Sequence, residues 1–142
     1  MQMTGLKVLG SAIALVLPAA AMAGPLMIVA ELDGAGETDG GDADGTGSFV
    51  AEIDAKSGDV CYELTVANVG TFMSAHIHEG AAGVDGKPVV NLELTEDGDL
   101  CVAAEPDALK PIVSAPANYY VNVHTSEHPK GAVRGQLSKA KD

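Results

Sequence analysis

Basic residues are scarce in this sequence. Eight lysines and arginines stand against twenty aspartates and glutamates among 142 residues, which gives a formal net charge of −12 at pH 7. A surface of that sign repels phosphate backbones and anionic lipid headgroups, so nucleic-acid binding and electrostatic membrane attachment are excluded as leading functions. The charge favours metal ions, cationic ligands or basic protein surfaces as partners. Solubility alone also explains such a charge, and the composition leaves both explanations open.

Long apolar runs are rare as well, and only one stands out. It covers residues 8–20, directly after Lys7, and is shorter than the roughly 20 residues that a transmembrane helix needs. The Ala-Met-Ala sequence at 21–23 has the small-x-small pattern of a signal peptidase site. Residues 1–23 are therefore predicted to be a secretory signal peptide, and residues 24–142 a single domain that is periplasmic or secreted. No cysteine follows the cleavage site, so a lipid anchor is not expected there.

Cysteine is nearly absent. Cys61 and Cys101 are the only two, and an even pair in an exported chain favours one disulfide. That bond would close a loop of roughly 40 residues and contribute about 3–4 kcal/mol on the chain-entropy model. The alternative is a pair of free thiols in a metal site, which has the wrong spacing for a zinc knuckle.

The sequence has no convincing long helical pattern. Short β-compatible segments alternate with turns rich in Gly, Asp and Pro, which predicts an all-β fold: an antiparallel, Greek-key-like β-sandwich or flattened barrel of about seven to eight strands. A helical turn is expected at residues 106–113, limited by Pro111, and the tail from Ser138 is expected to be frayed. The predicted strands cover residues 25–32, 48–53, 60–66, a segment around residue 77, and residues 89–94, 100–102, 119–125 and 132–137.

The segment 33–47 is made almost wholly of Gly, Asp, Glu, Thr and Ala. We expect a solvated surface loop in which nothing is buried. Its Asp39, Asp42 and Asp44 also suggest calcium, which prefers hard oxygen ligands. The EF-hand pattern of Gly at the sixth and Glu at the twelfth position is missing, so the solvated loop is preferred.

The histidines are the candidate site. His76 and His78 are two residues apart on a predicted strand and therefore share a face, about 6.6–6.8 Å apart along the chain. His124 lies on a second predicted strand, where it shares a face with Asn122 and Tyr120, and His128 follows as a potential fourth ligand. Imidazole ligands at this spacing favour copper first and zinc second.

The histidines also have a structural interpretation. A buried imidazole donates one N–H to a carbonyl and accepts at the other nitrogen, and such bonds would hold the two strands and their loops together. Catalytic motifs are lacking: the sequence has no Gly-x-Ser-x-Gly elbow, activated cysteine or paired carboxylates. Arg134 would steer an anion towards the site, or form a salt bridge with Glu79 or Glu127. A non-enzymatic role is the default.

Two signatures in the sequence resemble those of the CHRD domain, a family named after chordin. One is Ala-His-Ile-His-Glu-Gly-Ala-Ala-Gly at 75–83 with Pro-Val-Val at 88–90, and the other covers 119–125 and 129–137. The resemblance extends over nearly all of the predicted mature chain, and it implies an exported bacterial single-domain member. Growth-factor antagonism by chordin does not transfer to such members, so the resemblance implies no activity.

A shorter segment is similar to copper/zinc superoxide dismutases. His76-Ile77-His78-Glu79 resembles their His-Val-His-Glu strand, in which the histidines are copper ligands, and Val123-His124 resembles a later ligand strand. The zinc loop and the bridging histidine of that family have no counterpart here. The similarity thus implies a copper-type site more than it implies dismutase activity.

Three functions are carried forward. The first is a metal-binding β-sandwich, such as a copper carrier or buffer. The second is a non-catalytic binding or adhesion module for another exported protein, which an exposed apolar patch around Tyr119 and Tyr120 would favour. The third is a copper-dependent oxidoreductase of the superoxide dismutase type.

Overall fold

A computed structural model describes residues 24–141. The predicted signal peptide, residues 1–23, lies outside the described residues. Nine strands, one α-helix and two short 3-10 helices make up the fold. The strands are β1 (Leu26–Asp33), β2 (Thr46–Asp54), β3 (Asp59–Ala67), β4 (Phe72–Glu79), β5 (Pro88–Leu92), β6 (Leu100–Ala103), β7 (Tyr119–Thr125), β8 (Val133–Gln136) and β9 (Ser138–Lys139). The helix α1 is Pro106–Ser114, and the 3-10 helices are Gly34–Gly36 and Pro116–Asn118.

Eight of the strands form one antiparallel sheet in the order β5-β4-β7-β8-β1-β2-β3-β6, and β9 pairs with β1. The sheet curls into a nearly closed barrel whose two edges, β5 and β6, line a common groove. Just past β5, the Thr95 N–H donates to the Leu64 carbonyl at 3.1 Å and the Glu93 N–H donates to the Tyr62 hydroxyl at 2.8 Å, which ties the chain after β5 to β3. The all-β prediction is confirmed, in its flattened-barrel form.

The barrel interior is filled by the alternate residues of each strand, as the period-2 pattern predicts. Phe49 on β2 and Tyr62 on β3 are both buried, with ring centroids 5.7 Å apart. Helix α1 is longer than the predicted turn and continues through Pro111. It persists because Leu109 and Ile112 are fully buried in the core, and this burial outweighs the hydrogen bond that proline cannot donate.

The acidic loop is more structured than expected. Gly34 and Gly45 are buried, so the prediction that nothing in the loop is buried was wrong. The loop starts with a 3-10 turn in which Asp33 Oδ1 accepts from the Gly36 N–H at 2.7 Å. It then folds back onto the segment before β8, where the Asp42 N–H donates to the Ala132 carbonyl at 2.8 Å. Glycines permit this close backbone approach because they have no side chain to displace.

The predicted disulfide is present. Cys61 and Cys101 are joined by an S–S bond of 2.06 Å, and they are directly opposite residues of β3 and β6. In the sequence, Cys61 lies on the strand face opposite Val60 and Tyr62, which predicts a bond between β3 and a segment covering the sheet; that prediction was wrong. The disulfide instead fastens the four-residue edge strand β6 to its neighbour in the same sheet.

The C-terminal tail and the helices were also compared with the sequence-based expectations. The tail expected to fray is partly paired, with Ser138 opposite Val29 and Lys139 opposite Ile28. Within residues 24–141, none of the helices has the length and apolar character needed to cross a membrane.

We predict that reduction of the disulfide destabilises the protein. The bond closes a loop with a sequence separation of 40, so its loss should lower the free energy of unfolding by about 2–4 kcal/mol. Denaturant unfolding of the Cys61→Ala/Cys101→Ala variant, compared with the oxidised protein, measures this loss. Coincident unfolding curves would contradict it.

Candidate metal centre

The pairing of β4 with β7 brings three histidines together. In this register His76 lies opposite Asn122, Ser74 opposite His124, and His78 opposite Tyr120. The alternate residues of the two strands, such as Ile77 and Val121, are fully buried in the barrel core, so the imidazoles lie on the outer face of the sheet. This confirms the prediction that His76 and His78 share a face.

The three rings are close enough to hold one ion. The ring centroid of His76 is 5.3 Å from that of His78 and 5.2 Å from that of His124, and the His78 and His124 centroids are 6.0 Å apart. One ring nitrogen from each histidine lies within 4.8 Å of the other two. Copper or zinc binds imidazole nitrogen at about 2.0–2.1 Å, so a small inward movement of the rings would complete a three-nitrogen site.

Backbone carbonyls determine the tautomers of two of these rings. His78 Nδ1 lies 2.9 Å from the Gly86 carbonyl oxygen, and His124 Nδ1 lies 3.1 Å from the Pro129 carbonyl oxygen. A carbonyl oxygen can only accept, so each Nδ1 carries the proton and donates it. In the neutral ring, the lone pair is then on Nε2, which is the form that binds a metal.

Each of the three histidines also has one buried ring nitrogen without a hydrogen-bond partner in the described part of the chain. Within residues 24–141, the buried side-chain nitrogens and oxygens that lack a hydrogen bond are His76 Nδ1, His78 Nε2 and His124 Nε2. A buried polar atom left unpaired costs about 1–3 kcal/mol, and such atoms are rare in native proteins. That three occur in one cluster, one on each ring, fits a bound cation.

Burial favours the neutral, metal-binding form of the cluster. It lowers the pKa of His76, and the adjacent His124 and His78 lower it further by charge repulsion. It also lowers the pKa of His78, although the hydrogen bond to the Gly86 carbonyl opposes that shift. Both rings are therefore neutral at pH 7, and their lone pairs are available to an ion.

A stack of side chains supports His78 from outside the cluster. The Tyr120 ring lies parallel to the His78 ring, with centroids 5.0 Å apart and an interplanar angle of 9°. The Arg134 guanidinium carbon lies 3.4 Å from the Tyr120 centroid. Tyr119 and Tyr120 are only 7% and 3% exposed, so the apolar surface patch that would favour an adhesion module is not present around them.

The buried Arg134 also organises the loop that follows β4. Its guanidinium donates to the carbonyls of Ala81 at 2.9 Å and Val84 at 2.8 Å, and it pairs with Asp85 at 3.1 Å. The alternative salt bridges to Glu79 or Glu127 were wrong, because the guanidinium pairs with Asp85 of this loop instead. The same loop presents the Gly86 carbonyl to His78, and a side chain at Gly86 would overlap the carbonyl oxygen of Glu79.

Comparison with known families identifies the chain. The model of the CHRD domain matches residues 28–137, which is most of the sequence. The chain belongs to the CHRD domain family. Searches of curated proteins and of solved structures gave no match. All three clustered histidines of this CHRD domain, and both strands that carry them, lie within the matched residues.

Sequence reasoning missed Glu37, an acidic residue of the CHRD domain beside the cluster. The Asn122 side-chain amide donates to Glu37 Oε1 across 85 positions of sequence. Glu37 also lines, with His78 and His124, a pocket of about 240 Å³. The only sequence signal was Asn122, which shares a face with His124. Nothing in an acidic, glycine-rich loop indicates which of its carboxylates turns inward.

The environment of Glu37 changes its acidity. Burial raises the pKa of its carboxyl from 4.5 to about 7, the positive charge of Arg134 opposes the shift, and the negative charge of Asp85 adds to it. The carboxyl is therefore partly protonated at neutral pH.

His128 lies outside the cluster in this CHRD domain. Its Nε2 is 3.7 Å from a carboxylate oxygen of Asp42, and the group of ring nitrogens that converge comprises His76, His78 and His124. A role for His128 as a fourth ligand stays a prediction. Two of the three aspartates that suggested calcium have other partners: Asp39 pairs with Lys130 at 2.5 Å, and Asp42 lies beside His128.

We predict that Glu37→Gln changes how stability depends on pH. The folded-state pKa of Glu37 is about 7 against 4.5 for the free group, so its contribution is complete below pH 4.5 and is lost as the pH rises to 7. Glutamine does not titrate. The metal-free variant should therefore gain about 1–2 kcal/mol relative to wild type between acidic and slightly alkaline pH, after a discount for partial exposure.

Chemical denaturation across this pH range, with chelator present, measures the difference. Asp44→Asn is the matched control, because it removes a carboxylate from the same loop at an exposed position and should follow wild type. A constant difference between Glu37→Gln and wild type at all pH values would show that the carboxyl titrates normally.

Proposed function

We propose that this CHRD domain binds a transition-metal ion of the copper type through His76, His78 and His124. The observation that carries the proposal is the convergence of three imidazoles, each of which has a buried ring nitrogen without a hydrogen-bond partner in residues 24–141. Neutral imidazoles suit Cu(II) first and Zn(II) second, because copper stands above zinc in the affinity series of nitrogen ligands. A carrier or buffer of copper is the simplest role for such a site.

The surroundings of the histidines support this proposal over a purely structural role. Histidines that serve only to hold strands together would use both ring nitrogens in hydrogen bonds. Here His78 and His124 each use Nδ1 on a carbonyl, and the Nε2 of each ring is buried without a hydrogen-bond partner in residues 24–141. That is the outer-shell arrangement typical of metal-ligating histidines.

The compartment is part of the same proposal. A disulfide such as Cys61–Cys101 persists in oxidising compartments, and this supports the expected signal peptide and a periplasmic or secreted domain of residues 24–142. The net charge of −12 would attract cations to the protein by long-range electrostatics.

Calorimetric titration of chelator-treated protein with Cu(II) and Zn(II) tests the proposal. Wild type should bind one ion, with tighter binding of copper. We expect His78→Ala to weaken copper binding about 100-fold or more, because one of three ligands is lost. Absence of uptake by the wild-type protein would refute the proposal.

The variant His128→Ala resolves the coordination number. It makes the same chemical change as His78→Ala at an imidazole that contacts Asp42. A copper affinity within about threefold of wild type is expected for a three-histidine site. A loss similar to that of His78→Ala would instead assign His128 as the fourth ligand.

A copper-dependent oxidoreductase is the second candidate. The pocket lined by His78 and His124 favours it, because catalytic metal sites keep one position open to an exchangeable ligand. A xanthine-oxidase superoxide assay on copper-loaded protein tests this candidate. Dismutation that is lost in His78→Ala, above that of free copper, would establish it, and its absence would leave a carrier or buffer.

A further inference from the structure

The candidate metal centre has one open side. Three histidines would leave at least one coordination position of a bound ion without a protein ligand. The pocket of about 240 Å³ adjoins His78 and His124 and has room for a few water molecules. The acidic loop lines this pocket with Glu37, Thr38 and Asp39. A ligand on the open position would therefore lie between the histidines and that loop.

Glu37 is held in place by three separate segments of the chain. Asn122 on β7 donates to Oε1. A side chain at Gly131 would overlap the Glu37 carboxyl, and one at Gly41 would overlap its Cγ, so both glycines form a slot for this residue. Gly131 also has a positive φ of 148°, which a side chain would make unfavourable. The carboxyl is therefore positioned, unlike that of an exposed acidic residue.

The charges around the pocket leave this carboxyl able to exchange a proton. Arg134 and Asp85 influence it with opposite signs, and burial raises its pKa to about 7. Asp39 and Lys130 also line the pocket, but they pair with each other at 2.5 Å. Around neutral pH, Glu37 is thus a group that both accepts and donates hydrogen bonds.

We propose that this pocket binds a small protic oxygen ligand, of the class of water or hydrogen peroxide, between the metal ion and the Glu37 carboxyl. The inference rests on the proposed metal binding. The ligand oxygen takes the open position of the ion, and its O–H faces the carboxyl. In the proton step, the O–H bond breaks, its electron pair stays on the ligand oxygen, and the proton binds the Glu37 carboxylate; the reverse step restores both. Glu37 is a proton-exchanging group and not a metal ligand.

The pH dependence of the copper-loaded full chain tests the role of Glu37. Wild type and Asp44→Asn should show a one-proton change in the visible and electron paramagnetic resonance spectra below pH 7, because the charge of the bound ion lowers the pKa of Glu37 from its metal-free value of about 7. In Glu37→Gln this change should disappear or move by about one pH unit or more. Copper affinity by calorimetry should stay within about threefold of wild type, because no ligand is lost.

The outcomes separate the two proposals. An unchanged spectral transition in Glu37→Gln, with copper bound, would overturn the role of Glu37 and leave the three-histidine site intact. A large loss of copper affinity in this variant would also overturn it, since Glu37 would then act as a ligand. Wild type that takes up no copper would refute both proposals at the first titration.

Azide provides a second measurement on the unmodified protein, which does not depend on how Glu37→Gln folds. Azide is small enough for the pocket and occupies open positions on Cu(II). A saturable change in the visible spectrum of copper-loaded wild type is expected. Absence of any change at saturating copper would show that no open position exists, and would overturn the ligand site.

Discussion

The candidate site depends on one constraint, the antiparallel pairing of β4 with β7. That register sets His76 opposite Asn122 and Ser74 opposite His124, so imidazoles from two strands meet on one outer face. A shift of one residue would invert every side chain of β4. Ile77 would leave the core, where it is fully buried, and the histidines would enter it. Burial of the apolar residues in the barrel core fixes this register, and the register in turn keeps the three histidines together.

The loops after β4 and β7 orient the histidines that the two strands bring together. The Gly86 and Pro129 carbonyls accept from His78 and His124, which leaves the lone pair of each ring on Nε2. Arg134 holds the first of these loops through the Ala81 and Val84 carbonyls, and its charge is compensated by Asp85 and the face of a tyrosine. A buried arginine thus acts on the site at a distance, through the loop and through the aromatic stack on His78.

Local sequence patterns predicted most of the secondary structure. Period-2 alternation and Gly/Asp turns predicted the strands, with observed bounds such as Tyr119–Thr125 equal to the expected ones. The errors occurred where tertiary contacts outweigh local preference. Helix α1 extends through Pro111 because Leu109 and Ile112 reach the core. Part of the glycine-rich loop is buried because its backbone packs against the segment before β8.

The sequence by itself determined the all-β class, the family signatures, the cysteine pair and the shared face of His76 and His78, because each follows from spacing along one strand or from composition. Only the tertiary structure decided that His124 joins them while His128 contacts Asp42. It also decided that Glu37 turns inward to Asn122, 85 residues away. Contacts between distant segments depend on which strands become neighbours and how their loops fold back, and a local pattern does not encode either.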